Sequence, residues 1–167
     1  MAMIIRPEDP TDTAAIRSIV TAAFRDAAHT GGNEADIVDA LRIGGVLTVS
    51  LVAEDEGNII GHVAFSPVTV NSREVGWFGL GPVAVLVEKR RCGIGAALVE
   101  AGLKHLDDLG ARGCVVLGDP AYYRRFGFQS DSRLRFADVP SEYFQRLVIH
   151  GEPPQGVVNY PPAFSAS

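Results

Sequence analysis

The spacing of apolar residues changes along the chain, and each change predicts a different element. In the first third, five apolar residues recur at helical spacing: Ile16, Ile19, Val20, Ala23 and Phe24. They predict an amphipathic helix. The run Ile4-Ile5-Arg6 before it predicts an opening strand, and a second helix is expected from about Glu34 to Leu41, after the glycine pair at 31–32.

Strand-like runs dominate the next part of the chain. Alternating or continuous apolar residues occupy 50–54, 59–65 and 74–85, and short polar turns at 55–58 and 71–73 separate them. Strands joined by such turns pair with their neighbours in opposite directions. We therefore expect an antiparallel meander.

The second half alternates between helical and extended patterns. The predicted elements are a helix from Gly93 to about Leu109, a buried strand at 114–118, a strand near 134–136, a short helix near 141–147 and a last strand near 156–160. The proline-rich tail at 161–167 is expected to fray.

Composition indicates one globular domain spanning 1–167. The chain has 167 residues, of which 47% are hydrophobic and 21% charged, and a net charge of −5. An acidic balance disfavours nucleic acid as a partner. No targeting pattern or membrane-length apolar run is present, and Cys92 and Cys114 show no disulfide or zinc spacing, so we expect a cytoplasmic protein.

The stretch Gly81–Val99 predicts an anion site. An apolar strand leads into Arg90-Arg91-Cys92-Gly93-Ile94-Gly95, which opens a helix. The first turn of a helix has unpaired N–H groups and a partial positive charge, and glycines let a bulky diphosphate approach the backbone. The run lacks the Lys-Ser or Lys-Thr of a Walker A loop, and Leu98 replaces the third glycine of a Rossmann fingerprint.

This stretch resembles the acetyl-coenzyme A signature of the GNAT superfamily of N-acetyltransferases, (R/Q)-x-x-G-x-(G/A). The preceding Val83-Ala84-Val85 is similar to the superfamily's L-A-V strand. Downstream, Tyr123 stands four residues before Gly127-Phe128, and the run from Val116 to Phe128 resembles the YhbS-like subgroup. The motifs and their flanks cover roughly residues 45 to 130.

The resemblance implies an α/β (α+β) fold with a mixed, mostly antiparallel sheet splayed between its fourth and fifth strands and flanked by helices. It also implies acetyl-CoA as the cofactor. The residues expected to bind it are Val83, Ala84, Val85, Arg90, Arg91, Cys92, Gly93, Ile94, Gly95, Ala96 and Tyr123.

Acetyl transfer to an amine needs a base, oxyanion donors and an acid for the departing thiolate. Tyr123 is the expected general acid, with Tyr122 the weaker candidate, and backbone N–H groups at 83–85 are the expected donors. Glu34 and His62 are the candidate bases, although residues of these types in such positions are more often structural, and a water-mediated base is an alternative. No metal is expected.

The function that follows is an acetyl-CoA-dependent N-acetyltransferase acting directly on a primary amine of a small molecule. A protein or peptide amine, and a non-catalytic acyl-CoA-binding module, are the alternatives, and a homodimer is the commonest assembly for such a chain. Several aromatic residues are candidates either for the acceptor pocket or for packing: Trp77, Phe78, Tyr143, Phe144, Tyr160 and Phe164.

Overall fold

The computed structural model describes residues 3–25, 33–90 and 92–165. The strands in these residues are β1 (Met3–Pro7), β2 (Val49–Asp55), β3 (Asn58–Val70), β4 (Arg73–Val85), β5 (Gly113–Leu117), β6 (Gln129–Ser130), β7 (Leu134–Arg135), β8 (Phe144–Val148) and β9 (Gly156–Asn159). The α-helices are α1 (Thr13–Phe24), α2 (Glu34–Ile43), α3 (Ile94–Asp108) and α4 (Pro120–Tyr123). Short 3-10 turns occur at Pro10–Asp12, Val87–Lys89, Arg124–Phe126, Ser141–Tyr143 and Pro162–Ser165.

The central sheet is mixed and mostly antiparallel, as expected. Strands β1 to β4 pair with their sequence neighbours in antiparallel fashion, which confirms the predicted meander. Strand β5 is parallel to β4, and the order continues β5-β8-β6. Strand β9 pairs with the end of β3 and with β7.

The helix predicted near 141–147 is wrong. Only Ser141–Tyr143 form a 3-10 turn, and the chain then continues as β8, which pairs with β5 along its whole length. Phe144 and Gln145 are both buried, so the start of this strand is covered on both of its faces. The open edge of β5 therefore decided the conformation of a segment whose local pattern was ambiguous.

Part of the tail that was expected to fray has a regular conformation. Residues Pro162–Ser165 form a 3-10 turn, and the Phe164 ring lies 5.0 Å from the Tyr160 ring, centroid to centroid. The apolar contact between these rings holds the segment against the end of β9.

Apolar residues form clusters on both faces of the sheet. Helix α3 covers one face, where Leu98, Val99 and Leu106 pack against β2, β3 and β5. Helices α1 and α2 cover part of the other face, and the C-terminal strands cover the rest. Among the described residues, no helix is long and apolar enough to cross a membrane.

The contact between α3 and β3 is unusually close at Gly102. A Cβ atom at this position would overlap the ring of Phe65, which is fully buried in β3. Because the ring is enclosed by the core, it cannot move aside cheaply. The position of α3, and with it the start of the helix, therefore depends on a residue without a side chain.

We predict that Gly102→Ala lowers the free energy of unfolding by about 1–3 kcal/mol, because overpacking outweighs the better helix propensity of alanine. Urea unfolding followed by circular dichroism measures the change. Glu100→Ala, on the exposed face of the same helix, should change stability by less than about 0.5 kcal/mol. A Gly102→Ala protein as stable as the parent would contradict the close contact.

Candidate active site

The sheet opens between β4 and β5 part-way along the two strands. Their parallel pairing runs from Trp77–Gly113 to Leu80–Val116 and ends there. Beyond this point the paired residues of β4, 83–85, have partners on β3 only. The two strands therefore part beyond Leu80, and the predicted splay between the fourth and fifth strands is confirmed.

The register of β3 and β4 decides which backbone groups of β4 face this opening. Ala84 lies opposite His62, and the Leu86 N–H donates to the Ile60 carbonyl at 3.0 Å. Alternate residues of an antiparallel strand bond to the same neighbour, so Ala84 bonds to β3. The N–H and C=O groups of Val83 and Val85 point the other way, toward the opening.

The loop before α3 has the geometry of an anion site. Gly93 caps the helix with a φ of 78°, a conformation that favours glycine. The first helical hydrogen bond runs from the Ala97 N–H to the Gly93 carbonyl at 3.0 Å. The N–H groups of Ile94, Gly95 and Ala96 consequently have no acceptor within the helix.

A cleft of about 410 Å³ lies over this helix start. Its lining comprises Val85, Lys89, Arg90, Gly93, Ile94, Gly95, Ala96, Tyr122 and Arg125. Three cationic side chains and the N-terminal end of a helix dipole thus converge on one site, which suits a polyanion.

Arg90 and Tyr122 are held in place on opposite sides of the cleft. Arg90 Nη2 donates to the Ala23 carbonyl, at the end of α1, at 2.9 Å. The guanidinium of Arg125 lies over the Tyr122 ring, 4.3 Å from its centroid. The Tyr122 hydroxyl would be 3.4 Å from a Cβ on Gly95, so a glycine at that position leaves room between the ring and the helix.

A second cavity, of about 560 Å³, lies at the mouth of the opening. It is lined by Phe24, Glu34, Ile37, Leu80, Gly81, Pro82, Val83, Leu117, Tyr123, Phe136, Asn159, Tyr160, Pro161 and Phe164. Val83 and Tyr123 line this cavity, whereas Val85 and Tyr122 line the cleft. The two spaces therefore adjoin across the end of β4.

Tyr123 is fixed at this junction by its neighbours. The short helix α4 begins at Asp119, whose carboxylate accepts from the Ala121 N–H at 2.9 Å. The Tyr123 ring packs edge-on against Tyr122 and Phe128, and a Cβ on Gly118 would lie only 2.7 Å from it. Burial raises the pKa of the Tyr123 hydroxyl to about 12, so it stays protonated near neutral pH.

Glu34 is the first residue of α2 and is half-buried at the wall of the second cavity. Among the described residues that line this cavity, it carries the only carboxylate. One of the two candidate bases therefore lies on the same cavity as Tyr123.

His62 lies elsewhere, which is a correction to its candidacy as a base. It is fully buried on β3, does not line the cavity, and its Nε2 is 2.8 Å from the Ser50 hydroxyl. Ser50 donates to Glu8 at 2.5 Å, and Arg42 binds Glu8 through Nε and Nη2 at 2.9 Å each. Burial lowers the pKa of His62 to about 4, so the ring is neutral and structural.

Tyr160 brings an unpaired hydroxyl to the cavity wall. Its oxygen is buried and has no hydrogen-bond partner among the described residues, and burial raises its pKa. The ring stacks on Phe136 with centroids 5.0 Å apart and lies over Gly79, where a Cβ would be 3.1 Å away.

The other aromatic candidates do not line the cavity. Trp77 and Phe144 are buried in the core, Phe78 packs against the α3 face, and Tyr143 is exposed outside the cavity.

Comparison with known proteins agrees with this geometry. Residues 47–130, about half of the chain, match the family described as acetyltransferase (GNAT) domain. The chain is 41% identical over 146 residues, 84% of each protein, to YhbS of Escherichia coli K12, an uncharacterized N-acetyltransferase. This chain belongs to the GNAT acetyltransferase family.

Two solved structures share the whole fold. A GNAT family acetyltransferase from Brucella melitensis, in complex with acetyl-CoA, superposes with a TM-score of 0.89 at 49% identity and 98% coverage of both chains. Escherichia coli YhbS in complex with CoA gives 0.87 at 37% identity, covering 98% of this chain and 92% of the other. The predicted similarity to the YhbS-like subgroup is confirmed.

Most of the residues predicted from the motif line the cleft or the adjoining cavity. Val85, Arg90, Gly93, Ile94, Gly95 and Ala96 line the cleft, and Val83 and Tyr123 line the adjoining cavity. Ala84 turns its side chain into the core against α1 and α2, Cys92 is exposed outside both linings, and Arg91 lies outside the described residues.

Sequence reasoning did not single out several residues of the two linings, namely Lys89, Phe24, Leu117, Phe136 and Asn159. The arginine pair Arg124-Arg125 beside Tyr123 was the signal for Arg125, which lines the cleft. Within the described residues, no group of three or more His, Cys, Asp or Glu side chains is arranged to hold a metal ion.

The buried His62 predicts a specific pH dependence of stability. Below about pH 6.5 the unfolded chain binds a proton at this residue, whereas the folded protein does so only near pH 4. Stability should therefore fall as pH falls through this window, by up to about 1.4 kcal/mol per pH unit from this group alone. Lowered pKa values at Glu8 and Asp12 act in the same direction at lower pH.

The variant His62→Gln should flatten this dependence between pH 6.5 and 4, because it removes the titrating group. Urea unfolding at several pH values measures the slope, and the variant's loss of stability at pH 7.5 serves as the reference. Equal slopes for both proteins would show that His62 takes up its proton at the same pH in the folded protein as in the unfolded chain.

Proposed function

We propose that this protein transfers the acetyl group of acetyl-CoA to the primary amine of a small molecule. The observation that carries the proposal is the junction of the cleft and the cavity at the end of β4. An anionic carrier in the cleft and an amine in the cavity would meet beside Val83 and Tyr123. The acetyl-CoA and CoA complexes of the two similar structures support the carrier's identity.

The cleft supplies what the pyrophosphate of CoA needs. The free N–H groups at the start of α3 would bind phosphate oxygens, and Lys89, Arg90 and Arg125 would neutralise their charge. Gly93 and Gly95 leave the backbone accessible. The pantetheine arm would then lie along β4, where the backbone groups of Val83 and Val85 face the opening.

Bound acetyl-CoA supplies an activated thioester carbonyl, which the amine attacks directly through a tetrahedral intermediate, with CoA thiolate as the leaving group. The N–H groups of β4 at the opening are placed to stabilise the negative charge on the carbonyl oxygen. Glu34, directly or through water, would take the proton from the ammonium. The low-dielectric wall favours loss of that charge.

Tyr123 would return a proton to the thiolate. A general acid must hold its proton until the leaving group departs, and the raised pKa of this hydroxyl meets that condition. Tyr122 lines the cleft instead, so its role would be to pack against the carrier.

A small acceptor fits the shape of the cavity. Its volume of about 560 Å³ is typical of small-molecule sites, and it is bounded by α1, α2 and the C-terminal turn. Since these elements pack on the same sheet as the cleft, we propose that residues 1–167 act as a single GNAT domain.

The cofactor site is tested by Gly93→Asp. A side chain at a φ of 78° is strained, and a carboxylate there would repel phosphate, so acetyl-CoA affinity should fall at least tenfold by calorimetry. Gly110→Asp is the matched control, since it has a φ of 81° beyond the other end of α3 with open space around it. Equal affinities for both variants would remove the phosphate site from this loop.

The catalytic assignment is tested by release of free thiol from acetyl-CoA in the presence of amines. Tyr123→Phe should lower kcat at least tenfold while the affinity for acetyl-CoA stays within about twofold. With a pKa of about 12, Tyr123 should produce no basic limb in the kcat profile below pH 10.

Tyr143→Phe, an exposed tyrosine outside both cavities, is the control. Full activity of Tyr123→Phe would move the acid role to another group. Tight binding of acetyl-CoA without thiol release for any amine would instead indicate a binding module.

A further inference from the structure

Aromatic rings dominate the walls of the acceptor cavity. Phe24, Tyr123, Phe136, Tyr160 and Phe164 come from four separate parts of the chain. Three of them form a continuous stack, in which Tyr160 lies between Phe136 and Phe164 at 5.0 Å from each. Such a surface is suited to the flat face or edge of a hydrocarbon ring.

The aliphatic residues extend the same character toward the opening. Ile37, Leu80, Pro82 and Leu117 complete most of the wall between the aromatic stack and Tyr123. An acceptor with many hydroxyl or ammonium groups would lose its hydration here without finding partners, which is costly. The body of the acceptor must therefore be largely apolar.

The charge of the cavity is one-sided. Among the described lining residues, Glu34 is the only one with a charged side chain, and no Lys, Arg or His is present. The cations Lys89, Arg90 and Arg125 line the other cleft. A single carboxylate attracts one ammonium group, whereas a carboxylate on the acceptor would be buried without a cation.

Apart from Glu34, few polar side chains line the cavity. Asn159 and the unpaired hydroxyl of Tyr160 are the remaining polar side chains apart from Tyr123. They can serve one or two hydrogen bonds of a bound molecule or a water. This matches an acceptor with one amine and little other polarity.

We propose that the acceptor is an arylalkylamine-type molecule, that is, a small primary amine attached to an aromatic or similarly bulky hydrocarbon body and lacking an acidic group. The ammonium would approach Glu34, and the ring would lie against the Phe136–Tyr160–Phe164 stack. This inference rests on the proposed function, because it assumes that the cavity holds the acceptor.

Matched amines separate the contributions of ring and charge. 2-Phenylethylamine and tryptamine carry the ring without an acid, L-phenylalanine adds a carboxylate to the first of these, and ethanolamine and spermidine lack the ring. The expected kcat/KM for 2-phenylethylamine, measured by thiol release, is at least tenfold above that for phenylalanine, ethanolamine or spermidine. Comparable or higher values for any of these three would overturn the proposed class while leaving the transferase function intact.

A binding measurement separates failure of this inference from failure of the proposed function. Calorimetry of 2-phenylethylamine with the CoA-saturated protein should show binding that weakens at least fivefold in Glu34→Gln and in Phe164→Leu. Glu100→Gln, on the exposed face of α3, should bind as the parent does. Binding without thiol release from any amine would retain the acceptor class and refute the transferase function, whereas no binding and no release would refute both.

Discussion

The end of hydrogen bonding between β4 and β5 is the constraint on which the site depends. Up to Leu80 and Val116 the two strands share a parallel ladder, and beyond it β4 keeps partners only on β3. Backbone groups that lose a neighbour inside a sheet must find another partner. In this protein they face a space that a carrier and an acceptor can enter from opposite sides, so the lost pairing becomes a binding surface.

The two spaces at this opening differ in character because different faces of the sheet supply them. The α3 side brings a helix N-terminus and three cations, which suit a polyanion. The other side brings aromatic rings and one carboxylate, which suit an apolar amine. The chemical step needs both at once, and the adjacent residues Tyr122 and Tyr123 divide between them. One turn of chain therefore contributes a side chain to both spaces.

Local signals were enough to predict the parts of the site that lie on one continuous segment. The motif residues lie at the end of β4 and at the start of α3, so one continuous segment was enough to predict the cleft's main wall. The acceptor cavity is different, because Phe24, Glu34, Phe136 and Phe164 meet only after distant segments fold together. Among these, Glu34 was expected as a candidate base and Phe164 as one explanation for the acceptor side, but no spacing rule could select them. The helix prediction for 141–147 was wrong for a related reason. The pattern of this segment gave no sign of the β5 edge with which it pairs.

His62 belongs to a residue type that often acts in catalysis, but its contacts in this fold are structural. A histidine near a cofactor strand is a reasonable base, yet Ser50, Glu8 and Arg42 enclose it in a buried network on the opposite face from α3. The alternation of the strand puts Val63 toward α3 and His62 away from it. A one-residue change of register would have exchanged these two positions. The hydrogen-bond partners that distant segments bring to His62 therefore explain its structural role, and the identity of the residue alone does not.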